Sequence, residues 1–266
     1  METIIEYLSV TSMSNQHCQR VRSLADVKVR RQEKAFIVEG MRLLREAGHN
    51  NLKPELMVLS QSINVEDKDS AIKDLLVMAK VRLVVPDELL RRLSPADTPQ
   101  GILGVFEIPE VEPLELFVDR FKHFLVLDQI SDPGNMGTLL RSAASFSCGL
   151  IITPGCADIW SPKVVRSSMG ALFRPIFCYT EVEEWSSICL VKGIELMVTS
   201  SQGKDIRQLE MHGRKVAFVI GNEARGVADF WRERSSQTVS ITMTGQMESL
   251  NAAVAGSIVA YEVSKN

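Results

Sequence analysis

The 266-residue sequence has no apolar run near the roughly 20 residues that a membrane-spanning helix requires. Its first stretch, METIIEYLSVTSMSNQ, carries two glutamates and no basic residue. Secretory signals begin with basic residues and transit peptides are rich in arginine, so this start predicts neither. With 45% hydrophobic and 24% charged residues, the sequence predicts a soluble globular protein with no membrane partner.

Metal-binding and disulfide patterns are also missing. None of the five cysteines forms a CxxC pair, and an odd number cannot all pair within one chain. The four histidines (His17, His49, His123 and His212) do not lie at metal-ligand spacing. We therefore expect reduced core thiols, no structural metal, and a cytoplasmic location or an organellar matrix or stroma.

The chain lacks the GxGxxG fingerprint of dinucleotide-binding proteins, and it shows no internal repeat or low-complexity tract. A nucleotide-dependent oxidoreductase on a doubly wound sheet is thus disfavoured, and a nicotinamide-binding assay would test it. Net charge is −3, which does not indicate a polyanion-binding protein as a whole. Residues 20–45, however, hold eight basic side chains against three acidic ones. This basic stripe is typical either of a phosphate-binding surface or of a solvated helix face.

The first part of the chain predicts a small αβ domain. Short β-branched or aliphatic runs at 36–40, 55–60, 81–85 and 101–108 indicate strands, with helical patterns at 41–48, 72–80 and 86–93. The proline-bearing, acidic stretch 109–119 reads as a linker. We therefore predict a domain at 1–108, a linker at 109–119 and a second domain at 120–266.

The sequence of the second domain predicts a parallel sheet with helices on both faces, because apolar strand-like runs alternate with helical patterns. Strand-like runs lie at 123–130, 149–153, 173–179, 194–200, 215–221 and 237–242. Helical patterns lie at 136–147, 163–172, 182–191, 224–234 and 247–263. In such sheets ligands bind beyond the carboxyl ends of the strands, so the loops after these runs are the candidate site.

Three of those loops contain groups suited to binding. DQISDPGNMGTLLR (128–141) places glycines, Asn135 and Arg141 at a helix start, where free N–H groups favour anions. Arg141 lies among residues expected to be buried and needs a partner, which could be a phosphate or a carboxylate of the same chain. VIGNEARGV (219–227) could be a site or a plain turn. MTGQMESLNAAVAGSIVAYE (243–262) combines Ser249 and Asn251 with small residues that also suit a tightly packed core helix.

Together these loops resemble a known family. NxGxxxR at 135–141, IGNEARG at 220–226 and ESLNAAVAGSI at 248–258 are similar, in order, to the three motifs of SpoU (TrmH-type) RNA ribose methyltransferases of the SPOUT class. The likeness covers 120–266, and the preceding region is similar to the RNA substrate-binding domain often found before it. Ala224 stands where the family usually has Gly, and Thr242 where it often has Pro. Neither position carries a reactive group.

The resemblance implies an α/β fold with a deep trefoil knot and a bent S-adenosylmethionine in the knot loops. Chain-topology rules by themselves argue against a knot. The implied cofactor pocket consists of strand ends and apolar side chains: Thr199, Ser200, Gly221, Asn222, Ile241, Met243, Leu250 and Asn251. The implied reaction is methyl transfer to a ribose 2′-hydroxyl of rRNA or tRNA, with large-subunit rRNA favoured by the type of the first domain.

The resemblance also implies residue roles and partners. Arg141 is the family's activating residue, but a guanidinium is effectively always protonated. We expect Arg141 to position a phosphate and stabilise the developing alkoxide, held with the ribose by Asn135, Glu223, Ser249 and Asn251. A homodimer would complete the site, bordered by the segment around Trp160, Arg166 and Gly170. Structured RNA would contact a basic set: Arg20, Arg22, Arg30, Arg31, Lys34, Arg42 and Arg166.

A rival hypothesis keeps the fold without the chemistry. A ribosome-assembly factor with a silent pocket would bind RNA but not S-adenosylmethionine. The joint presence of Asn135, Arg141, Glu223, Ser249 and Asn251 argues against it.

Overall fold

The computed structural model describes residues 6–63, 70–211 and 213–265. The chain forms two compact units. The N-terminal unit comprises residues up to 110 together with 158–173, and the C-terminal unit comprises 111–157 and 174–266.

The N-terminal unit contains a five-stranded sheet and surrounding helices. Its strands are β1 (Leu8–Ser9), β2 (Ala35–Glu39), β3 (Pro54–Ser60), β4 (Val81–Val85) and β5 (Ile102–Glu107). Its helices are α1 (Gln16–Ser23), α2 (Val27–Glu33), α3 (Met41–His49), α4 (Ser70–Met78) and α5 (Asp87–Leu93). The strand order is β1-β4-β3-β5-β2, in which β5 runs antiparallel to both of its neighbours. Side chains of Asn15 and Asp26 cap the first two helices.

Residues 158–173 pack onto this unit although in sequence they follow the strand at Gly149–Ile152 of the second domain. They carry helix α8 (Pro162–Ser167) and a short 3₁₀ turn at Ala171–Phe173. Trp160 lies against Phe36 with ring centroids 4.6 Å apart. Arg30 donates to Asp158 at 2.6 Å. By its packing the segment therefore belongs to the N-terminal unit, although it lies within the predicted second domain at 120–266.

The C-terminal unit is a parallel six-stranded sheet, as the sequence predicted. Its strands are β6 (His123–Leu127), β7 (Gly149–Ile152), β8 (Phe177–Tyr179), β9 (Ile194–Asp205), β10 (Lys215–Ile220) and β11 (Gln237–Ser240). The order is β11-β9-β10-β6-β7-β8, and all five pairings are parallel. Its α-helices are α6 (Leu114–Arg120), α7 (Pro133–Ser145), α9 (Val182–Lys192), α10 (Asp229–Arg234) and α11 (Ala252–Val263).

Part of the stretch predicted as a linker is folded. Helix α6 occupies Leu114–Arg120, and Phe117 and Val118 are fully buried in the core of the C-terminal unit. Prolines and acidic residues are typical of a linker, but the apolar side chains between them pack on the sheet. Burying a phenylalanine side chain contributes on the order of 1.5–3 kcal/mol, which favours the folded helix.

The predicted elements differ from the observed ones mainly at the loops of the site. The helix predicted at 224–234 begins only at Asp229, because Gly226 has a φ of 70° and closes a turn before it. The helix predicted at 247–263 begins at Ala252. Strand β9 continues five residues beyond the predicted end at 200, because its last residues pair with β11.

No helix in the described part of the chain is both long and apolar enough to cross a membrane. All five cysteines are free thiols, and four of them are buried.

Candidate active site

A cleft of about 370 Å³ opens at the carboxyl ends of β10 and β11 and at the part of β9 that follows its pairing with β10. This is the edge of the parallel sheet where the sequence placed the site. Seven of the eight residues predicted for the cofactor line it: Thr199, Ser200, Gly221, Asn222, Ile241, Met243 and Leu250. Asn251 lies beside this lining, at the start of α11.

The loop after β10 is a closed turn. The backbones of Asn222 and Gly226 exchange two hydrogen bonds, at 3.1 and 2.9 Å. The Asn222 side-chain oxygen accepts from the amides of Ala224 and Arg225 inside that turn. A side chain on Gly221 would collide with the backbone of Gly226 and Val227. Glycine at 221 is therefore needed so that the turn can fold back against the strand end.

Two side-chain contacts fasten this turn to the end of β6. Asn222 donates from Nδ2 to the carbonyl of Gln129 at 2.8 Å. The buried carboxylate of Asp128 accepts from the amide of Ala228 at 2.7 Å. Asp128 stands outside the three motifs, so its role was not predicted. An acidic residue at the end of an apolar run was the available signal, since a buried carboxylate requires donors.

Helices α7 and α11 pack closely through small residues. A side chain on Gly256 would overlap Leu139. Ser142 and Ser257 share a hydrogen bond of 2.6 Å between the two helices. The small residues of α11 therefore allow tight helix packing, as one interpretation of the sequence predicted. This packing brings the first turn of α7 to the first turn of α11.

Asn135, Glu223 and Asn251 form one hydrogen-bonded network, although they come from three separate sequence motifs. Asn135 donates from Nδ2 to Oε1 of Glu223 at 2.5 Å. Asn251 donates from Nδ2 to Oδ1 of Asn135 at 3.0 Å. The other amide atom of Asn251 caps α11 by accepting from Ala253 and Val254. Each amide is therefore fixed at both ends, which gives this polar group a defined geometry beside the cleft.

The helix neighbours Leu139, Leu140 and Ala143 are buried as expected, but Arg141 itself is not held by this network. Its side chain is exposed, and it forms no ion pair or hydrogen bond with the described residues. Asn135 and Arg141 are six residues apart on α7, so they stand about 120° apart around the helix axis. An intrachain carboxylate partner is thus absent from the described chain, and the guanidinium is available to another molecule.

Ser249 lines the cleft and is exposed, without a hydrogen bond to the network. Several further cleft residues escaped the sequence analysis, including Ile206, Val227 and Arg232. Ile206 lies beyond the predicted end of its strand, and Val227 and Arg232 follow the motif. Their approach to the cleft depends on tertiary packing, which a motif does not report.

The two departures from the family motifs have structural consequences that leave the site intact. Ala224 uses its backbone amide to close the Asn222 turn, so its methyl group is incidental. Thr242 donates its hydroxyl to Asp205 at 2.5 Å. This bond and the Arg207 guanidinium, which is the larger cause, hold the pKa of Asp205 below its usual range.

The basic residues of the N-terminal unit divide into two groups. Arg30 is 3% exposed, pairs with Asp158 and donates to the carbonyls of Leu24 and Ala25. The prediction that Arg30 contacts RNA is therefore wrong, because its guanidinium is buried within the fold. Arg20 is partly engaged by Glu33 and Glu55. The remaining predicted side chains are exposed: Arg22, Arg31, Lys34, Arg42 and Arg166.

No cluster of His, Cys, Asp and Glu with metal-binding geometry occurs within the described ranges, and His212 lies outside them.

Comparison with known proteins assigns both regions of the chain. Residues 122–261, more than half of the chain, match the SpoU rRNA Methylase family. Residues 15–104 match an MRM3-like substrate binding domain. A 23S rRNA (guanosine(2553)-2'-O)-methyltransferase from Bacillus subtilis is 25% identical over 96% of this chain and 98% of that protein.

Two solved structures resemble the whole chain. An AdoMet-bound rRNA methyltransferase from Sinorhizobium meliloti has a TM-score of 0.85 and 25% identity, covering 97% of this chain and 98% of that one. The SpoU methyltransferase AviRb from Streptomyces viridochromogenes, in complex with AdoMet, has a TM-score of 0.81 and 27% identity, covering 94% and 97%. The chain therefore belongs to the SpoU rRNA Methylase family of RNA methyltransferases.

Proposed function

We propose that this protein transfers a methyl group from S-adenosylmethionine to a ribose 2′-hydroxyl of large-subunit ribosomal RNA. The observation that carries the proposal is the network of Asn135, Glu223 and Asn251 at the rim of the strand-end cleft. Family membership supports the reaction, and the 23S rRNA specificity named for the Bacillus subtilis relative supports the substrate class.

The cleft fits the cofactor in size and chemistry. Its volume of about 370 Å³ lies within the range of small-molecule sites. Ile241, Met243 and Leu250 offer an apolar bed, and the strand ends offer backbone hydrogen-bonding groups for an adenine edge. When bound, S-adenosylmethionine supplies an electrophilic sulfonium methyl group. A cofactor with a carboxylate also requires a cation, because an unpaired carboxylate is costly to desolvate.

Arg232 suits that carboxylate. It lines the cleft, and its Nε donates to the carbonyl of Val227 at 3.0 Å, which fixes the guanidinium. The outer N–H groups of Arg232 have no hydrogen-bond partner among the described residues. Its ion pair with Asp229 is long, 4.0 Å, and is made by Nε. The other arginine of the lining, Arg225, is exposed on the turn and has no such anchor.

The chain's own residues would orient the ribose and manage its proton. Asn135 and Asn251 would position the ribose, while Arg141 would bind the adjacent phosphate through its bidentate fork. The hydroxyl oxygen would take the methyl group as the bond between methyl carbon and sulfur breaks, which leaves S-adenosylhomocysteine. The hydroxyl proton would pass to that phosphate or to a water. Arg141 would stabilise the negative charge that develops on the oxygen, rather than accept the proton itself.

We further propose that the protein acts as a homodimer. Arg141 is exposed and lies about 120° around α7 from Asn135, so one chain alone does not surround a ribose with both groups. A second copy would bring its own network or cleft to the free guanidinium. Two-fold symmetry would then produce two equivalent composite sites.

We propose that the N-terminal domain at 1–108 binds RNA, together with Arg166 from the segment 158–173 that packs on it, and that 120–266 carries out methyl transfer. Of the predicted basic set, the exposed members form the proposed phosphate-binding surface: Arg22, Arg31, Lys34, Arg42 and Arg166. Such contacts position RNA without reading its sequence and weaken as salt rises. The reaction would take place where ribosomes are made, in the cytoplasm or in an organellar matrix or stroma.

Two measurements test the proposal. Calorimetry with S-adenosylmethionine should show stoichiometric binding, whereas no heat would leave only the silent assembly-factor hypothesis. Mapping ribose methylation on total RNA with and without the gene should reveal one lost site in large-subunit rRNA. Loss of a tRNA site instead would correct the substrate, and no lost site would contradict the proposed activity.

A further inference from the structure

A second cleft, of about 380 Å³, lies within the N-terminal unit beside the end of β2. Leu43 and Val165 contribute to its apolar wall. Its charged lining consists of two arginines and two carboxylates: Arg42, Arg166, Glu39 and Asp97. This volume is sufficient for a small organic ligand.

The two arginines reach the cleft from distant parts of the sequence. Arg42 stands in the first turn of α3, and Arg166 stands in the last turn of α8. Both side chains are exposed, and neither has a hydrogen bond or ion pair with the described residues. The charge of Arg166 acts on the Glu39 carboxylate across the cleft without a direct ion pair, so both guanidinium groups keep their N–H donors for a phosphate, which their planar geometry suits.

Glu39 presents an acceptor at the same cleft. Its two oxygens each lie 2.8 Å from the hydroxyl of Ser94, which has one proton to donate, and Oε1 also accepts from the amide of Gln100 at 3.2 Å. A carboxylate has about four acceptor positions, so these donors leave capacity on Oε2. The half-buried carboxylate is therefore fixed in place while still able to accept from a ligand.

The charge balance decides the ligand class. A simple anion would be repelled by the two carboxylates, and a simple cation would be repelled by the two arginines. A nucleotide satisfies both pairs, because its phosphate is anionic while a base edge offers N–H donors. Single-stranded RNA is read in this way, through bases that are unstacked and hydrogen-bonded on their edges.

We propose that this cleft binds one unstacked nucleotide of the RNA substrate, with its phosphate on Arg42 and Arg166 and its base N–H donors on Glu39. Guanine is the preferred base, because its N1–H and N2–H donors lie side by side and face a carboxylate. The inference rests on the proposed function only in taking RNA as the substrate.

Fluorescence anisotropy with the full chain tests the cleft. The probes are labelled seven-nucleotide RNAs: an all-uridine strand, and the same strand with one central G, C or A. The wild type should bind the G-containing strand about 5-fold or more tightly than the all-uridine strand. Glu39→Gln should remove this preference. Arg42→Ala and Arg166→Ala should weaken all strands alike and lower the salt dependence.

Arg92→Ala is the matched control, because Arg92 is exposed on α5 of the same unit and does not line the cleft. Thermal melting establishes that each variant is folded. Equal binding of all four strands by the wild type, no binding at all, or a preference that survives Glu39→Gln would each overturn the inference. Cofactor binding and methyl transfer, measured on the same preparations, separate that result from a failure of the proposed function.

Discussion

Asn135 donates a hydrogen bond of 2.5 Å to Glu223 across 88 positions of the chain. The bond joins the first turn of α7 to the turn after β10, and Asn251 extends it to α11. One amide side chain thus connects three strand-end elements at the rim of the cleft.

Replacing Asn135 by alanine should impair the chemistry more than cofactor binding. The change removes both the Glu223 and the Asn251 contacts, yet Asn135 does not line the cleft. Misplacement of catalytic groups by about 1 Å costs on the order of 10²-fold in rate, so we expect a kcat loss of that size. Thr138→Ala, on the same helix and exposed, serves as control. A large rise in the Kd of S-adenosylmethionine with unchanged kcat would contradict the assignment.

Gly221→Ala should distort the cofactor turn. The added methyl group would overlap the backbone of Gly226 and Val227, and such overpacking costs about 1–3 kcal/mol. We expect a lower Tm and weaker S-adenosylmethionine binding. Gly245→Ala is the matched control, because nothing lies within 4 Å of its added carbon. Equal behaviour of the two variants would show that the turn tolerates the methyl group.

Arg232→Ala should weaken binding of S-adenosylmethionine but not of its decarboxylated analogue. If the guanidinium pairs with the carboxylate, the loss disappears when the ligand lacks that group. The expected loss is about 10-fold, the size of a charged hydrogen bond. Arg234→Ala is the control, because both side chains are 43% exposed and Arg234 does not line the cleft. Equal losses for both ligands, or a carboxylate-dependent loss in Arg225→Ala instead, would disprove the role.

Mixing two inactive variants tests the shared site. Arg141→Ala should lower kcat by about 10²-fold or more without changing cofactor affinity, because it removes stabilisation of charge in the transition state. If Arg141 acts on the partner's network, each mixed dimer of an Arg141→Ala chain and an Asn135→Ala chain keeps one of its two sites intact, so verified mixed dimers should recover about half of wild-type activity. No recovery in verified mixed dimers would favour a site within one chain. Full turnover with weakened RNA affinity in Arg141→Ala would remove its catalytic role.

Because the thiol pKa values are raised in the folded protein, we expect the protein to lose stability at alkaline pH. Burial raises the pKa of Cys148 and Cys189 to about 12, and chiefly burial raises that of Cys156 and Cys178 to about 11. These pKa values in the folded protein exceed the ordinary thiol pKa of 9.0, so the folded state keeps protons that the unfolded chain releases. The contribution is complete below pH 9 and is lost as pH rises through 11 to 12.

Thermal melting from pH 7.5 to 10.5 should therefore show a falling Tm at the alkaline end. At pH 8 a thiol reagent should react slowly with the native protein and rapidly after denaturation. Rapid native reaction of the buried cysteines would mean that their thiols are accessible.

The sequence determined most of the fold class and much of the cleft. Alternating apolar runs specified a parallel sheet, because strands buried on both faces must be continuously apolar. The rule that ligands bind at carboxyl strand ends brought the loops after these strands together, and the family resemblance selected Gly221, Asn222 and Leu250 within them. Local rules were less reliable at the loops, where Gly226 stops a helix that periodicity alone would start five residues early.

Only the tertiary structure decided which charged groups are available. Arg30 and Arg31 are neighbours in the basic stripe, yet Arg30 is buried and forms an ion pair with Asp158, whereas Arg31 is exposed. Arg42 and Arg166 meet at one cleft because residues 158–173 pack on the N-terminal unit. Composition counts charges, but burial and partners across long sequence separations decide what each charge can bind.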